Sequence, residues 1–162
     1  MKRILESGQF SNYREGVSLD SASMEVANLY KSYFGKTTVF ISHKHDDLED
    51  LSGLIGFLEK NYNVKAYIDS KDSSMPSVTS GVTASKIKER IRQCDKFILL
   101  ATDGAVESKW CNWELGYGDS QKFSSKDIAI LPLKRKGYSD SSYKGNEYMQ
   151  IYPYISFYEG NE

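Results

Sequence analysis

Two short stretches of this sequence hold residues able to do chemistry. The first, FISHKHDD at residues 40–47, contains both histidines of the chain, His43 and His45, followed at once by Asp46 and Asp47. Neutral imidazoles and carboxylates are the donors that zinc, manganese or iron accept, so the cluster reads first as a ligand set. In extended backbone His43 and His45 stand at i and i+2 and point the same way, and Asp69 would be needed to add a third donor. If Asp46 or Asp47 instead caps a following helix, its oxygens are engaged by backbone N–H groups and the set thins. On that ground no metal is expected.

The second stretch is SKWCNWELGYGD, residues 108–119. On a helix that starts at Ser108, residues Trp110, Trp113, Glu114 and Tyr117 fall within a sector of about 100°, because each residue advances by about that angle. A carboxyl group beside aromatic walls can face a developing cation, and the same walls raise its pKa. The pattern also suits plain packing, with the aromatics as core and Glu114 at its margin. Cys111 points away from Trp110 on such a helix and reads as a small core residue.

The elements that must position these residues alternate. A β-branched and aromatic run at 38–41 predicts a strand, and Leu48, Leu51, Leu54, Ile55 and Leu58 recur at helical spacing behind it. Residues 64–68 predict a second strand, ending at Asp69, and the polar stretch 70–83 a long loop. Ala84, Ile87, Ile91 and Cys94 mark an amphipathic helix with a basic outer face, which we read as a solvated surface. Residues 96–101 form a third strand, apolar enough to lie at the sheet centre. A helix from Ser108 to about residue 117, a fourth strand at 128–133 and a fifth at 154–158 follow. Repeated βα units with short buried strands predict an open parallel sheet with helices on both faces. Sites in such sheets lie beyond the carboxyl ends of the strands, where FISHKHDD falls.

Residues 1–36 read as an N-terminal extension, partly helical over 20–33 with Val26, Leu29 and Tyr33 near one face, and residues 37–162 as the main domain. A chain of 162 residues buries roughly two thirds of its unfolded surface and needs no staple. Cys94 and Cys111 form no disulfide framework or CxxC pair, which suits a reducing compartment. Twenty-one basic and 22 acidic side chains leave a net charge of −1, so no global field draws nucleic acid or an anionic membrane. The apolar runs fall far short of the roughly 20 residues that span a bilayer. Residues 1–5 begin like a signal peptide, but Glu6, Ser7 and Gly8 interrupt it, so a cytoplasmic protein is expected.

In order and spacing, Val39-Phe40-Ile41-Ser42-His43 with Asp46, then Asp69, Ile91-Arg92-Gln93-Cys94-Asp95, Leu99-Leu100-Ala101-Thr102, Ser108-Lys109-Trp110-Cys111 with Glu114-Leu115, and Ile130-Leu131-Pro132 resemble a bacterial TIR (Toll/interleukin-1 receptor) domain. The resemblance is firm over 37–133 and looser beyond. It implies a flavodoxin-like parallel sheet of about five strands, with residues 70–83 as the BB loop. Enzymatic members cleave the nicotinamide–ribose bond of NAD+ with a glutamate in a W-x-x-x-E motif, which Trp110 and Glu114 match. The resemblance thus implies an NAD+ nucleosidase or ADP-ribosyl cyclase, with Glu114 catalytic and Trp110 shaping the pocket; NAD+ is substrate and no cofactor is expected. Ser42, His43, Lys44, Asp69 and Tyr117 are then expected to border the dinucleotide, with His43 at the rim and His45 exposed. The product, linear, cyclic or base-exchanged ADP-ribose, stays open. Short stand-alone members often act in antiphage defence, signalling to a separately encoded effector, and commonly build the site between copies. The sequence departs from the family's frequent BB-loop Pro-Gly pair, since Pro76 and Gly81 stand apart. The alternative is a non-catalytic TIR interaction module, in which Glu114 would be dispensable.

Overall fold

The computed structural model describes residues 2–19, 23–71 and 80–158. In chain order these form β1 (Lys2–Arg3), β2 (Leu5–Glu6), α1 (Met24–Phe34), β3 (Thr37–Ser42), α2 (Leu48–Asn61), β4 (Val64–Tyr67), α3 (Gly81–Gln93), β5 (Lys96–Ala101), α4 (Asp103–Glu107), α5 (Lys109–Lys122), β6 (Ile128–Lys134) and β7 (Phe157–Tyr158). Five strands pair in parallel in the order β2-β6-β5-β3-β4. The sheet is the open parallel α/β arrangement that the alternation predicts, in the flavodoxin-like form that the resemblance implies.

Strand alternation divides the core into two layers. Phe40, Tyr67, Phe97 and Leu99 meet Ile87 and Ile91 of α3 and Cys111 and Leu115 of α5 on one face. Val39, Ile41, Ala66, Ile68, Ile98 and Leu100 meet Leu51, Leu54 and Ile55 of α2 on the other. Each large side chain so buried contributes about 1.5–3 kcal/mol. Phe40 and Phe97 stack at 5.5 Å and 6°, and α5 presents Gly118 to this pair. A Cβ there would stand 3.0 Å from the Phe97 ring. This close approach holds Glu114, one turn earlier on α5, over the carboxyl end of β3.

The fifth strand is not the one expected. Residues 154–158 do not extend the sheet: Tyr154 makes an isolated bridge to Ile130, and Phe157–Tyr158 pair antiparallel with Lys2–Arg3. Pro153 has no N–H to give to a ladder, so only the flanking bonds form, from Ile130 N to Pro153 O at 2.9 Å and from Ile155 N to Ile130 O at 2.8 Å. The outer edge of β6 beyond them is taken by Leu5–Glu6, which pair with Leu133 and Lys134.

The N-terminal segment then packs across α2. Asp50 accepts hydrogen bonds from Ser7 Oγ at 2.7 Å and Gly8 N at 2.8 Å, and Phe10 lies 4.7 Å from Phe57 between ring centroids. The backbone of Phe10 and Tyr13 comes so near α2 that a Cβ on Gly53 would stand 2.6 Å from Phe10 O, and one on Gly56 2.0 Å from Tyr13 O.

Three boundaries differ from expectation. Helix α1 begins at Met24 behind its Ser23 cap, whose side chain accepts from Val26 N, and ends at Gly35 with φ +62°; the start expected at 20–22 lies outside the described residues. Its buried residue is Ala27, while Leu29 and Tyr33 are exposed. Helix α3 starts at Gly81, three residues before Ala84, because Ser80 and Thr83 form a reciprocal capping box. Of the expected 70–83 loop, Asp69–Lys71 is a 3-10 turn, and residues 72–79, Pro76 included, lie outside the described residues. Helix α5 has the predicted Ser108 cap, accepting from Cys111 N at 3.2 Å, and continues past Tyr117 to Lys122.

Candidate active site

Ser42 is the last residue of β3 and, by alternation, shares the face of Thr38 and Phe40. That face looks toward α5, and there Ser42 Oγ donates a hydrogen bond to Glu114 Oε2. Both side chains are enclosed, Ser42 at 0 % and Glu114 at 1 % exposure. The other carboxyl oxygen, Oε1, is buried with no hydrogen-bond partner among the described residues. Such an orphan costs roughly 1–3 kcal/mol, which makes it a feature that calls for a role. Burial, followed by the nearby Asp69 charge, pushes the Glu114 carboxyl well above the usual range, opposed by the Ser42 hydrogen bond. The enclosure therefore favours the protonated form of this carboxyl more than water does.

His43 follows Ser42 and turns toward the end of β4. Its Nδ1 lies 3.1 Å from Ile41 O, and its Nε2 3.2 Å from Ser70 Oγ. A carbonyl can only accept, so Nδ1 carries the proton and Nε2 accepts from the Ser70 hydroxyl. Burial lowers the His43 pKa, with the Ile41 bond and the Asp69 charge opposing, and the ring is neutral. His43 is 7 % exposed and joins β3 to the turn after β4, more enclosed than its expected rim position suggests.

The ligand cluster suggested by FISHKHDD does not assemble. Both ring nitrogens of His43 are engaged, His45 is exposed with its ring 6.0 Å from that of His43, and among the described residues no group of three or more His, Cys, Asp or Glu is arranged to hold an ion. Nor does an aspartate cap α2 through its side chain. The Asp47 carboxylate instead accepts a 2.5 Å hydrogen bond from Thr102 Oγ1, while that same oxygen caps α4 by accepting from Ala105 N at 3.1 Å. Two strand ends, of β3 and β5, are joined through this pair.

The other expected residues divide. Asp69, half-buried at the exit of β4, faces both Glu114 and His43 electrostatically. Lys44 runs along α4, where a Cβ on Gly104 would stand 2.9 Å from Lys44 Cδ; it is on the β5 side of the loop, and His43 on the β4 side. Trp110 and Tyr117 are partly buried against the core beneath α5. They belong to a ladder in which Trp110 and Trp113 stack at 5.1 Å and 27°, and Trp113 and Tyr117 at 6.5 Å and 15°. Its far end is closed from α3 by Lys88, whose ammonium is 4.8 Å from the Tyr117 ring centre, and by Arg92, which donates to Tyr117 Oη at 3.1 Å. The helical sector is thus real, but it splits: Trp113 is 37 % exposed while Glu114 turns inward.

Two contributors escaped the sequence reading. Ser70 and Thr102 act through neighbours brought close only by folding, although each follows a strand at the predicted edge, while Cys111 is the small core residue expected. Cys111 is buried beside Ser42 and Glu114, and burial above all, offset in part by hydrogen bonding to Ser108, pushes its thiol up to about 11; it is an inert thiol at neutral pH.

A parallel α/β sheet with helices on both faces is a doubly wound architecture, of the kind whose sites lie beyond the carboxyl ends of the strands, and here a buried carboxyl stands at that edge. The chain belongs to the TIR domain family, whose model matches residues 39–162. A curated relative from Bacillus cereus (strain MSX-D12), named "Probable 3' cyclic ADP-D-ribose synthase ThsB'", is 33% identical over 120 residues, or 73% of this chain. The chain spans 60% of that relative's length.

Proposed function

We propose that this protein cleaves the nicotinamide–ribose bond of NAD+, with Glu114 as the catalytic carboxyl. The observation that carries the reading is Glu114 itself: enclosed at the carboxyl edge of a TIR-family sheet, one oxygen held by Ser42 and the other unpartnered among the described residues. A plain core residue has no reason to be an acid there, and an interaction surface has no use for a carboxyl that is 1 % exposed. The printed name of the Bacillus cereus relative supports the same substrate and favours a cyclic ADP-ribose as product.

The chemistry suits these groups. When the C1′–N bond breaks, its electron pair passes to the nicotinamide ring nitrogen and cancels the positive charge, so the leaving group needs no proton. The enzyme has to position the ribose and stabilise its oxocarbenium-like transition state. The substrate's cationic ring, brought against Glu114, favours loss of the carboxyl proton, and the resulting carboxylate faces the developing charge at C1′. An acceptor hydroxyl then bonds to C1′ and passes its proton to the Glu114 carboxylate, which releases it to solvent; water yields ADP-ribose, and a hydroxyl of the same molecule yields a cyclic product. A second acid, obligatory where a leaving oxygen must be protonated, is not required. His43, Lys44, Asp69, Trp110 and Tyr117 border the dinucleotide in this reading, with Ser42 behind Glu114.

Self-association with other copies, a cytoplasmic setting and an antiphage signal read by a separately encoded effector complete the proposal, on the strength of the family alone. The described helices contain none long and apolar enough to cross a membrane. The decisive experiment incubates wild type and Glu114→Gln with NAD+ and separates the products. Nicotinamide and a cyclic or linear ADP-ribose from wild type, with none from Glu114→Gln, is the expected result. Equal release from both proteins removes Glu114 from the chemistry, and no release from wild type at high protein concentration favours the interaction module.

A further inference from the structure

Ser42 was expected to touch the dinucleotide, yet its surroundings give it another task. Its side chain is 0 % exposed, and its hydroxyl hydrogen is given to Glu114 Oε2. A hydroxyl has one hydrogen to donate, so the same group cannot also donate to a substrate while that bond stands. On Glu114 the bond fixes one oxygen and leaves Oε1 as the acting atom, buried and unpartnered among the described residues.

We propose that Ser42 is a positioning residue for Glu114: anchored at the end of β3, beside the central strand β5, it holds Oε2 and so sets the direction in which Oε1 meets the ribose. The inference rests on the NAD+ cleavage reading above and deepens it.

The anchor is rigid for reasons visible in the fold. Ser42 closes a strand paired on both sides, with β4 and with β5, and its Cα partner in β5 is the fully buried Leu99. Glu114 rides on a helix pressed onto Phe97 through Gly118. The carboxyl therefore has a fixed partner on a fixed strand, the arrangement that keeps a reacting group within a near-attack geometry. The bond also favours the ionised carboxyl, against burial and Asp69. The titratable groups around it are Asp69 at the exit of β4 and Cys111 on its own helix, with neutral His43 from β3 facing Asp69.

The test compares Ser42→Ala and Ser42→Thr with the full-length wild type, measuring kcat, KM for NAD+ and the pH profile of kcat for nicotinamide release. Ser42→Ala is expected to lower kcat roughly ten- to a hundredfold, the loss of one hydrogen bond to a charged group, with KM changed less than about threefold. Without the bond the carboxyl holds its proton more tightly, so the acid limb of the profile moves to higher pH. Ser42→Thr keeps the hydroxyl and restores most of kcat and the original limb. Thermal unfolding establishes that both variants are folded at the assay temperature; if Ser42→Ala is not, Ser42→Cys, with its weak donor, takes its place and is expected between alanine and threonine. Unchanged kcat and profile in Ser42→Ala overturn the proposal. So does a defect confined to KM, which marks a substrate contact, or a loss of kcat with an unmoved limb and no recovery in threonine, which marks packing. An inert wild type sinks the NAD+ reading and this inference with it, whereas an active wild type with an unaffected Ser42→Ala sinks the inference alone.

Discussion

Glu114 and Ser42 lie 72 positions apart and meet in the interior, hydroxyl to carboxyl, at the junction of α5 with the end of β3. The pair carries a stability cost, because burial in the folded state raises the Glu114 pKa above its unfolded value. A carboxyl whose folded pKa is raised binds its proton more tightly in the native state, so its contribution to stability falls as pH rises from the ordinary glutamate range upward. Glu114→Gln is therefore expected to abolish nicotinamide release and to raise the unfolding temperature, by more at about pH 8 than at about pH 5. Calorimetry at the two pH values checks it, and an equal or reversed gain counts against a raised Glu114 pKa.

Gly56→Ala is predicted to destabilise the fold by about 1–3 kcal/mol. The added Cβ would stand 2.0 Å from Tyr13 O and 2.8 Å from Val17 Cγ2, and backbone cannot give way as a side-chain tip can. Amide exchange over residues 7–17 should quicken in this variant while β3 and β5 keep their protection. Exchange as slow as in wild type would show that the N-terminal segment does not depend on this contact.

Asp95 ties three elements together: Oδ2 accepts from Thr38 N at 2.9 Å and Thr38 Oγ1 at 3.0 Å, and Oδ1 from Lys31 Nζ at 2.7 Å. Burial acts to raise its pKa, but Lys31 and the Thr38 donors together hold it below the usual range. A lowered carboxyl contributes stability above the ordinary aspartate range and loses it as pH falls through the folded value. Asp95→Asn should cost about 1–2 kcal/mol at neutral pH, and the difference from wild type should shrink below about pH 4. Urea titrations across that range decide the matter.

Thr102→Val removes the Asp47 hydrogen bond and the cap of α4 together. The expected loss is about 1–3 kcal/mol, while Thr102→Ser, which keeps the hydroxyl, should stay within about 1 kcal/mol of wild type. Denaturant midpoints for the two variants separate the hydroxyl from the methyl group; equal losses would mean that packing, not hydrogen bonding, holds this junction.

What the sequence determined by itself was the material of the fold: apolar strands at the centre, helices at regular spacing between them, and the carboxyl edge as the place for chemistry. Phe97, Ile98, Leu99 and Leu100 are apolar on both faces because both faces are covered, and that is legible without coordinates. Trp110 and Glu114 stood out because helical geometry puts them on one sector. The tertiary structure decided partners. Pro153 left an edge of β6 that Leu5–Glu6 occupy, and no local pattern in so short a strand could announce that pairing. Asp47 lies beside its own helix in sequence, yet bonds to Thr102, 55 positions away, because the sheet sets β3 next to β5. Ser42 read as a loop-edge residue open to substrate; only the closeness of α5, allowed by Gly118 against Phe97, turned its hydroxyl onto Glu114. Local periodicity dictates which residues are buried, but which of them meet depends on strand order and helix approach, quantities set by packing across the whole domain.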